Sequence, residues 1–176
     1  SRGLGDVYKR QVLALKLYEA TKDEYYLEVG KKFYQWIDKY LKDPERGVVW
    51  NSWLTTTSAV CPDLYTYNTG TLLQAAVALY NYTGEQAYLD NAKFLAEGSY
   101  KVFFKYTEEG IPYIADLPWF NLVLFRGYHD LYNVTGDPKY VDTMIKGLDY
   151  AWDHARDQAG LMYHCLLYTS PSPRDG

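Results

Sequence analysis

Two short runs concentrate the residue types that handle sugars. Trp50-Asn51-Ser52-Trp53 and Tyr65-Thr66-Tyr67-Asn68 bring two Trp, two Tyr and two Asn close to the start of one apolar segment. Flat rings with polar tips cover sugar faces, while side-chain amides both donate to and accept from hydroxyls. The chemistry expected is therefore a sugar subsite made by Trp50, Asn51, Trp53, Tyr65, Tyr67 and Asn68. The bland alternative has the rings plugging the end of a helical assembly and Asn68 capping a helix. Capping needs one polar residue, not this many, which favours the subsite. Asp116-Leu117-Pro118-Trp119-Phe120 is the corresponding stretch ahead of a later apolar segment. There Asp116 suits a helix cap or a hydroxyl acceptor equally well, and Trp119 is read as partly core.

Other chemistries have less support. The acid pairs Asp23-Glu24 and Glu108-Glu109 invite a two-carboxylate reading, but both sit in turns, the first at the end away from the long loops. His129, His154 and His164 lack metal-ligand spacing, so no metal is expected. Cys61, beside Pro62 with no His near it in sequence, is expected to be inert. Asn81-Tyr82-Thr83 and Asn133-Val134-Thr135 match a glycosylation sequon, yet an internal repeat accounts for both. No Gly-rich phosphate loop is present. The net charge of -4 comes from intermixed acids and bases, with no basic stripe for nucleic acid. The 18% aromatic content, with 20 Tyr and 5 Trp, suits a thick helical core or a carbohydrate cleft.

The element that must position the subsite is Tyr65 to Tyr80, apolar on nearly every side from Leu72 to Leu79. Such a helix has to be enclosed. It is too short for a bilayer, which needs about 20 apolar residues. It is therefore an inner helix, with the aromatic and amide cluster at its N-terminal mouth. Around it a repeat emerges: Leu17-Tyr18-Glu19-Ala20-Thr21-Lys22-Asp23 returns as Leu79-Tyr80-Asn81-Tyr82-Thr83-Gly84-Glu85 and as Leu131-Tyr132-Asn133-Val134-Thr135-Gly136-Asp137. Each copy reads as a helix stop, with Gly able to take positive φ, followed by a polar cap for the next helix.

The helix after each turn is amphipathic. Tyr26, Val29, Phe33, Trp36, Ile37 and Tyr40 fall on one face of the first, Leu89, Ala92, Ala96, Tyr100 and Phe103 on one face of the second, and Tyr140, Met144, Leu148 and Trp152 on one face of the third. Gly47-Val48-Val49-Trp50, Gly110-Ile111-Pro112-Tyr113 and Gly160-Leu161-Met162-Tyr163 add short extended strokes. Units of roughly 50 to 60 residues built this way describe helical hairpins arranged in a ring, with the long loops Trp50 to Asn68 and Tyr113 to Trp119 at one end and Tyr163-His164 starting a third. The fold class is all-α.

Both termini read as foreign to that ring. A DNA strand able to encode Cys165 to Asp175 has a complement that encodes Ser1 to Gln11, the pattern of a translated sequencing adapter. Residues 1–11 and 165–176 are therefore set apart as adapter-derived, and 12–164 is taken as the native segment, cut from a longer gene. Cys61 is then the sole native cysteine, which leaves no intrachain disulfide.

Within 12–164, the run from Thr66 to Ala92, TYNTGTLLQAAVALYNYTGEQAYLDNA, closely resembles the Thr-Tyr-Asn-x-Gly helix and following turn of glycoside hydrolase family 76, the endo-α-1,6-mannanases. The run from Val12 to Ile37 and the stretch Trp119 to Tyr132 support it. The resemblance implies an (α/α)6 toroid of about twelve helices, present here as an incomplete ring. It implies retaining hydrolysis of α-mannan-like polysaccharide without a cofactor, by a full-length protein expected to be monomeric and extracellular or periplasmic. The family's catalytic Asp-Asp pair occurs nowhere in this sequence and is expected upstream of Val12, so no catalytic residue is assigned. Carried over by position are the substrate-wall residues Tyr65, Tyr67, Asn68 and Gly70. Phe120-Asn121-Leu122 stands where the family leads one to expect a Phe-Lys-Gly-like start. Rival readings are another six-hairpin sugar enzyme, such as an unsaturated glucuronyl hydrolase or an epimerase, or a non-catalytic glycan-binding helical protein.

Overall fold

The computed structural model describes residues 7–54 and 56–156. Three helical hairpins follow one another: α1 (Val7–Thr21) with α2 (Glu24–Tyr40), α3 (Thr66–Thr83) with α4 (Gln86–Phe103), and α5 (Pro118–Thr135) with α6 (Lys139–His154). α1 and α5 both pack on α3, so α1, α3 and α5 form the inner row and α2, α4 and α6 the outer one. This is the incomplete helical toroid anticipated from the repeat. No described helix is long and apolar enough to cross a membrane.

The reversals follow from three residues used three times. The hydroxyls of Thr21, Thr83 and Thr135 donate back to the carbonyls of Leu17, Leu79 and Leu131 at 2.7, 2.8 and 3.0 Å. Each of those hydroxyl oxygens accepts the N–H of the residue two positions on (Asp23, Glu85 or Asp137) at 3.2 Å. Between them Gly84 and Gly136 take φ of 73° and 72°, and Lys22 adopts the same left-handed conformation at 58°. A side chain there costs roughly 1–2 kcal/mol against glycine. Asp23 then caps α2, its Oδ1 accepting the Tyr25 N–H at 2.9 Å.

α3 is enclosed as its composition requires: Leu72, Leu73, Ala75, Ala76, Val77 and Leu79 are all buried. Its crossing with α5 is close enough that a Cβ on Gly70 would lie 2.7 Å from the Leu124 backbone, and one on Gly127 would lie 2.9 Å from Leu73. On α2 the buried line runs Leu27, Gly30, Tyr34 and Ile37. This is a rotation from the face expected on periodicity, since Tyr26, Val29, Phe33 and Trp36 flank it half-buried and Tyr40 is exposed. Gly30 sets that rotation by admitting the Leu15 side chain of α1 into the seam. On α6 only Met144 and Ala151 are buried. Leu148 and Trp152 stand open, and an apolar groove of about 280 Å³ lies between α5, α6 and the preceding strands, at the uncovered flank of the hairpin row.

The loops at the mouth carry more order than expected. Trp50–Leu54 (β1) and Ala59–Leu64 (β2) pair antiparallel, with Trp53 opposite Val60, so part of the expected Trp50–Asn68 loop is a hairpin. Phe104–Tyr106 (β3) and Pro112–Ile114 (β4) form a second. Both are two-stranded additions to an all-α frame. The third extended stroke, expected at Gly160 to Tyr163, and the mouth residue His164 lie outside the described residues.

Polar clusters tie the outer helices together. Asn91 of α4 donates to Asp38 Oδ1 at 2.8 Å and to the Tyr34 hydroxyl, while Lys42 reaches Asp38 and Asn91 at 2.6 and 2.8 Å. Between α4 and α6, Glu97 accepts from Lys139 Nζ at 2.6 Å and from the Tyr140 hydroxyl at 2.9 Å. The Lys139 hydrogen bond is the main force holding the Glu97 carboxyl down at about 2 from its ordinary 4.5. A depressed carboxylate contributes stability that is complete above its unfolded value and is lost as pH falls through the folded one. The melting temperature should therefore drop between pH 4.5 and about pH 2, and Glu97→Gln should flatten that part of the curve in a thermal-melt series.

Candidate functional site

The mouth is built on the N-termini of two neighbouring inner helices and on β1. α3 begins at Thr66 after Tyr65, whose extended backbone has no side-chain cap to offer. The Thr66 N–H is met instead from across the mouth by Asp116 Oδ2 at 2.9 Å. β1 is fastened to α3 by the Val49 N–H, which donates to Thr69 Oγ1 at 3.0 Å inside the core. That tie delivers Asn51 to the first turn of α3.

Asn51, Tyr67 and Asn68 converge. The Tyr67 hydroxyl donates to Asn51 Oδ1 at 3.3 Å and Asn68 Nδ2 donates to the same oxygen at 3.4 Å. Burial pushes the Tyr67 phenol up, so it remains a proton donor at neutral pH. The Asn68 side chain is fully buried, and its Oδ1 has no partner among the described residues. Asn68 is the third residue of α3, so it does not cap the helix; from beneath the mouth it holds Asn51 in place.

Rings complete the surface. Tyr65 and Tyr67 stack with centroids 6.0 Å apart, Phe120 of α5 meets Tyr67 at 4.6 Å and Tyr65 at 5.8 Å, and Trp119 leans on Phe120 at 3.9 Å. Trp119 is 61% exposed and also lines the apolar groove, which makes it the outer edge of the cluster.

The other expected wall residues have placements of their own. Trp53 is half-buried, its ring T-shaped against Tyr40 of α2 with centroids 6.0 Å apart. Trp50 is half-buried opposite Leu64 in the hairpin, its N–H donating to Leu41 O at 2.9 Å. Gly70 is buried in the helix crossing, where its service is the close approach of backbones. Of the two roles open to Asp116, the structure gives it the helix-cap geometry. Thr69 was not singled out in the sequence, and Phe120, Thr66 and Asn121 were named there without a role in the wall, although Phe120 follows Trp119 at the repeat-equivalent mouth, which is the signal that identifies it.

Chemically, this is a surface that stacks and hydrogen-bonds. Asp116 is the carboxylate seated between the two helix starts, already accepting from backbone and hydroxyl. Among the described residues no cluster of His, Cys, Asp or Glu is arranged to hold a metal.

A row of helical hairpins whose inner-helix mouths carry rings and amides is the frame of a carbohydrate-active α/α toroid. The model of glycosyl hydrolase family 76 matches residues 10–117, more than half of the chain, and the chain belongs to that family. Among solved structures, the family 76 mannosidase Bt3792 from Bacteroides thetaiotaomicron VPI-5482 is 28% identical with a TM-score of 0.81, the match covering 94% of this chain and 48% of that one. The GH76A α-1,6-mannanase from Salegentibacter sp. HEL1_6 is 29% identical with a TM-score of 0.75, over 92% and 51%. An inactive variant of that mannanase, with two consecutive aspartates replaced by alanine, is described in complex with α-1,6-mannotetrose; it is 27% identical with a TM-score of 0.75, over 93% and 50%. The chain thus spans about half the length of the structures it matches. No curated protein matches it significantly.

The attachment of β1 to α3 is open to a direct check. Thr69→Val keeps the side-chain shape but strands the buried Val49 N–H, which should cost about 1–3 kcal/mol of unfolding free energy in urea titration.

Proposed function

We propose that this chain forms one wall of the substrate cleft of a retaining α-1,6-mannanase. The reading rests on one observation above others: the Tyr67 hydroxyl and the Asn68 amide meet on Asn51 Oδ1 beside the Tyr65–Tyr67–Phe120 rings, at the mouth of the inner helices. That places ring faces beside the Tyr67 hydroxyl and the Asn51 amide, which the buried Asn68 fixes from beneath, the combination that holds a sugar by stacking and by its hydroxyls. Family membership and the mannotetrose bound by the Salegentibacter relative support α-1,6-mannan as the glycan.

The acids of the reaction are proposed to come from the parent polypeptide ahead of Val12. Retaining hydrolysis needs two carboxylates about 5–5.5 Å apart, one attacking the anomeric carbon and the other protonating the leaving oxygen and later activating water. This sequence contains no Asp-Asp pair, and the relative inactivated at two consecutive aspartates gives the pair its weight. We also keep residues 12–164 as the native part. Gln11 supports that boundary: its amide is fully buried and neither Nε2 nor Oε1 has a partner among the described residues, an expensive arrangement for a core-facing position.

Titration of the 176-residue chain with α-1,6-mannotetraose, read by intrinsic fluorescence and by reducing-end release, tests the proposal. Binding without hydrolysis is expected, with Asn51→Ala and Tyr67→Ala each weakening it about tenfold, the worth of one good hydrogen bond or ring contact. Hydrolysis by this chain would overturn the upstream placement of the acids. Absence of binding would overturn the wall.

A further inference from the structure

We infer that Asp116 is a positioning residue, a latch that holds the mouths of α3 and α5 in register so that the rings of both helices form one surface; the inference rests on the reading of that mouth as a glycan wall. Asp116 lies 50 positions beyond Thr66, yet its Oδ2 accepts both the Thr66 N–H and the Thr66 hydroxyl at 2.9 Å. Its Oδ1 accepts the Leu117 N–H at 2.8 Å, at the N-cap of α5. One carboxylate therefore serves the starts of both helices. The α3 terminus gains from it doubly, since the first N–H is satisfied and the partial positive charge of the helix end is met by an anion.

Asn121 closes the latch from the α5 side. Its Nδ2 donates to the Asp116 and Ile114 carbonyls at 3.3 and 3.5 Å, which turns its Oδ1 toward Thr66 Oγ1 at 3.1 Å. The single Thr66 hydroxyl proton thus lies between two acceptors, the carboxylate and the amide oxygen. Both are contributed from the α5 side, so either partnership ties α3 to α5.

The residues beside the latch carry the rings. Tyr65 and Tyr67 flank Thr66, Phe120 precedes Asn121, and the three rings interleave across the helix boundary at 4.6 to 6.0 Å. Thr66 is 0% exposed and Asn121 is 6% exposed, so neither can touch a ligand. Any influence of theirs on a bound glycan must travel through the placement of the rings. Asp116 shares their hydrogen bonds and hence their role. Asp116 itself is half-buried, with both of its carboxylate oxygens already engaged by Thr66 and Leu117.

The test compares Asp116→Ala, Thr66→Val, their double variant and Thr66→Ser in the 176-residue chain. The probes are α-1,6-mannotetraose binding and fluorine NMR of chain labelled with fluorotyrosine, with the Tyr65 and Tyr67 signals assigned by Tyr→Phe substitution. Each of the first two substitutions should weaken binding about tenfold and shift the Tyr65 and Tyr67 resonances, because a buried charge-assisted bond is lost. The double variant should be no weaker than the weaker single one, the signature of one shared interaction, and Thr66→Ser should bind like the unsubstituted chain. Losses that multiply in the double variant would show Asp116 acting on the sugar directly and overturn the latch. Unmoved tyrosine resonances in Thr66→Val, which is isosteric and carries the test if Asp116→Ala does not fold, would overturn it as well. If the unsubstituted chain binds no mannotetraose, the glycan wall falls, and the tyrosine resonances still decide for or against the latch.

Discussion

The close crossing of α3 and α5 is the constraint from which the rest of the architecture follows. Gly70 and Gly127 let the two helices approach until backbone meets backbone and side chain, and Gln74 Nε2 adds a bond to the Val123 carbonyl at 2.9 Å across the same seam. At that separation the two N-termini emerge side by side, which is why one carboxylate can serve both and why rings from different hairpins can touch. A methyl group at either glycine would need the helices to part or a neighbour to shift, and shape changes of that kind in a packed seam commonly cost about 1–3 kcal/mol. The mouth is therefore a by-product of packing, made where two inner helices lie closer than most side chains allow.

The outer row works by a different rule. α2, α4 and α6 keep one wet face, and polar clusters join them laterally beside the ring pairs Tyr34–Tyr88 and Tyr100–Tyr140: the Tyr34, Asp38, Lys42 and Asn91 cluster and the Glu97, Lys139 and Tyr140 cluster. Exposed ion pairs contribute little singly, but networks that combine phenols, amides and charges help fix the lateral spacing of neighbouring helices. The inner row supplies the burial and the outer row supplies alignment. At the far flank neither is complete, and Trp152 at 56% exposure shows what an amphipathic helix looks like with its apolar face uncovered.

Much of this was legible from residues. The three turns could be read because Thr, a left-handed residue and an acid at fixed spacing satisfy local backbone groups without tertiary help. Lys22 demonstrates that the hydrogen bonds, more than glycine itself, define the turn. The enclosed α3 could be read because an all-round apolar helix has one physical solution. Asn51, Tyr67 and Asn68 were recognisable by type. Three features were not legible. The rotation of α2 depends on Gly30 admitting Leu15, a contact between elements. Trp53 and Trp50 were assigned by composition to the same wall as the tyrosines, but the strand pairing that turns Trp53 toward Tyr40 is invisible until β1 finds β2. The trans cap by Asp116 spans 50 positions, beyond any local pattern.

The three turns sit at the end of the hairpins opposite the mouth, and each is closed by bonds within a handful of its own residues. Reversal of the chain and recognition at the mouth are thus carried by separate atoms at separate ends of each hairpin. Strands and rings at one end are free to vary in length and chemistry, while the hydroxyls and acids at the other keep folding the chain back on itself. In evolutionary terms the hairpin is a cassette, and a ring of such cassettes can change what it holds one loop at a time without relearning how to fold.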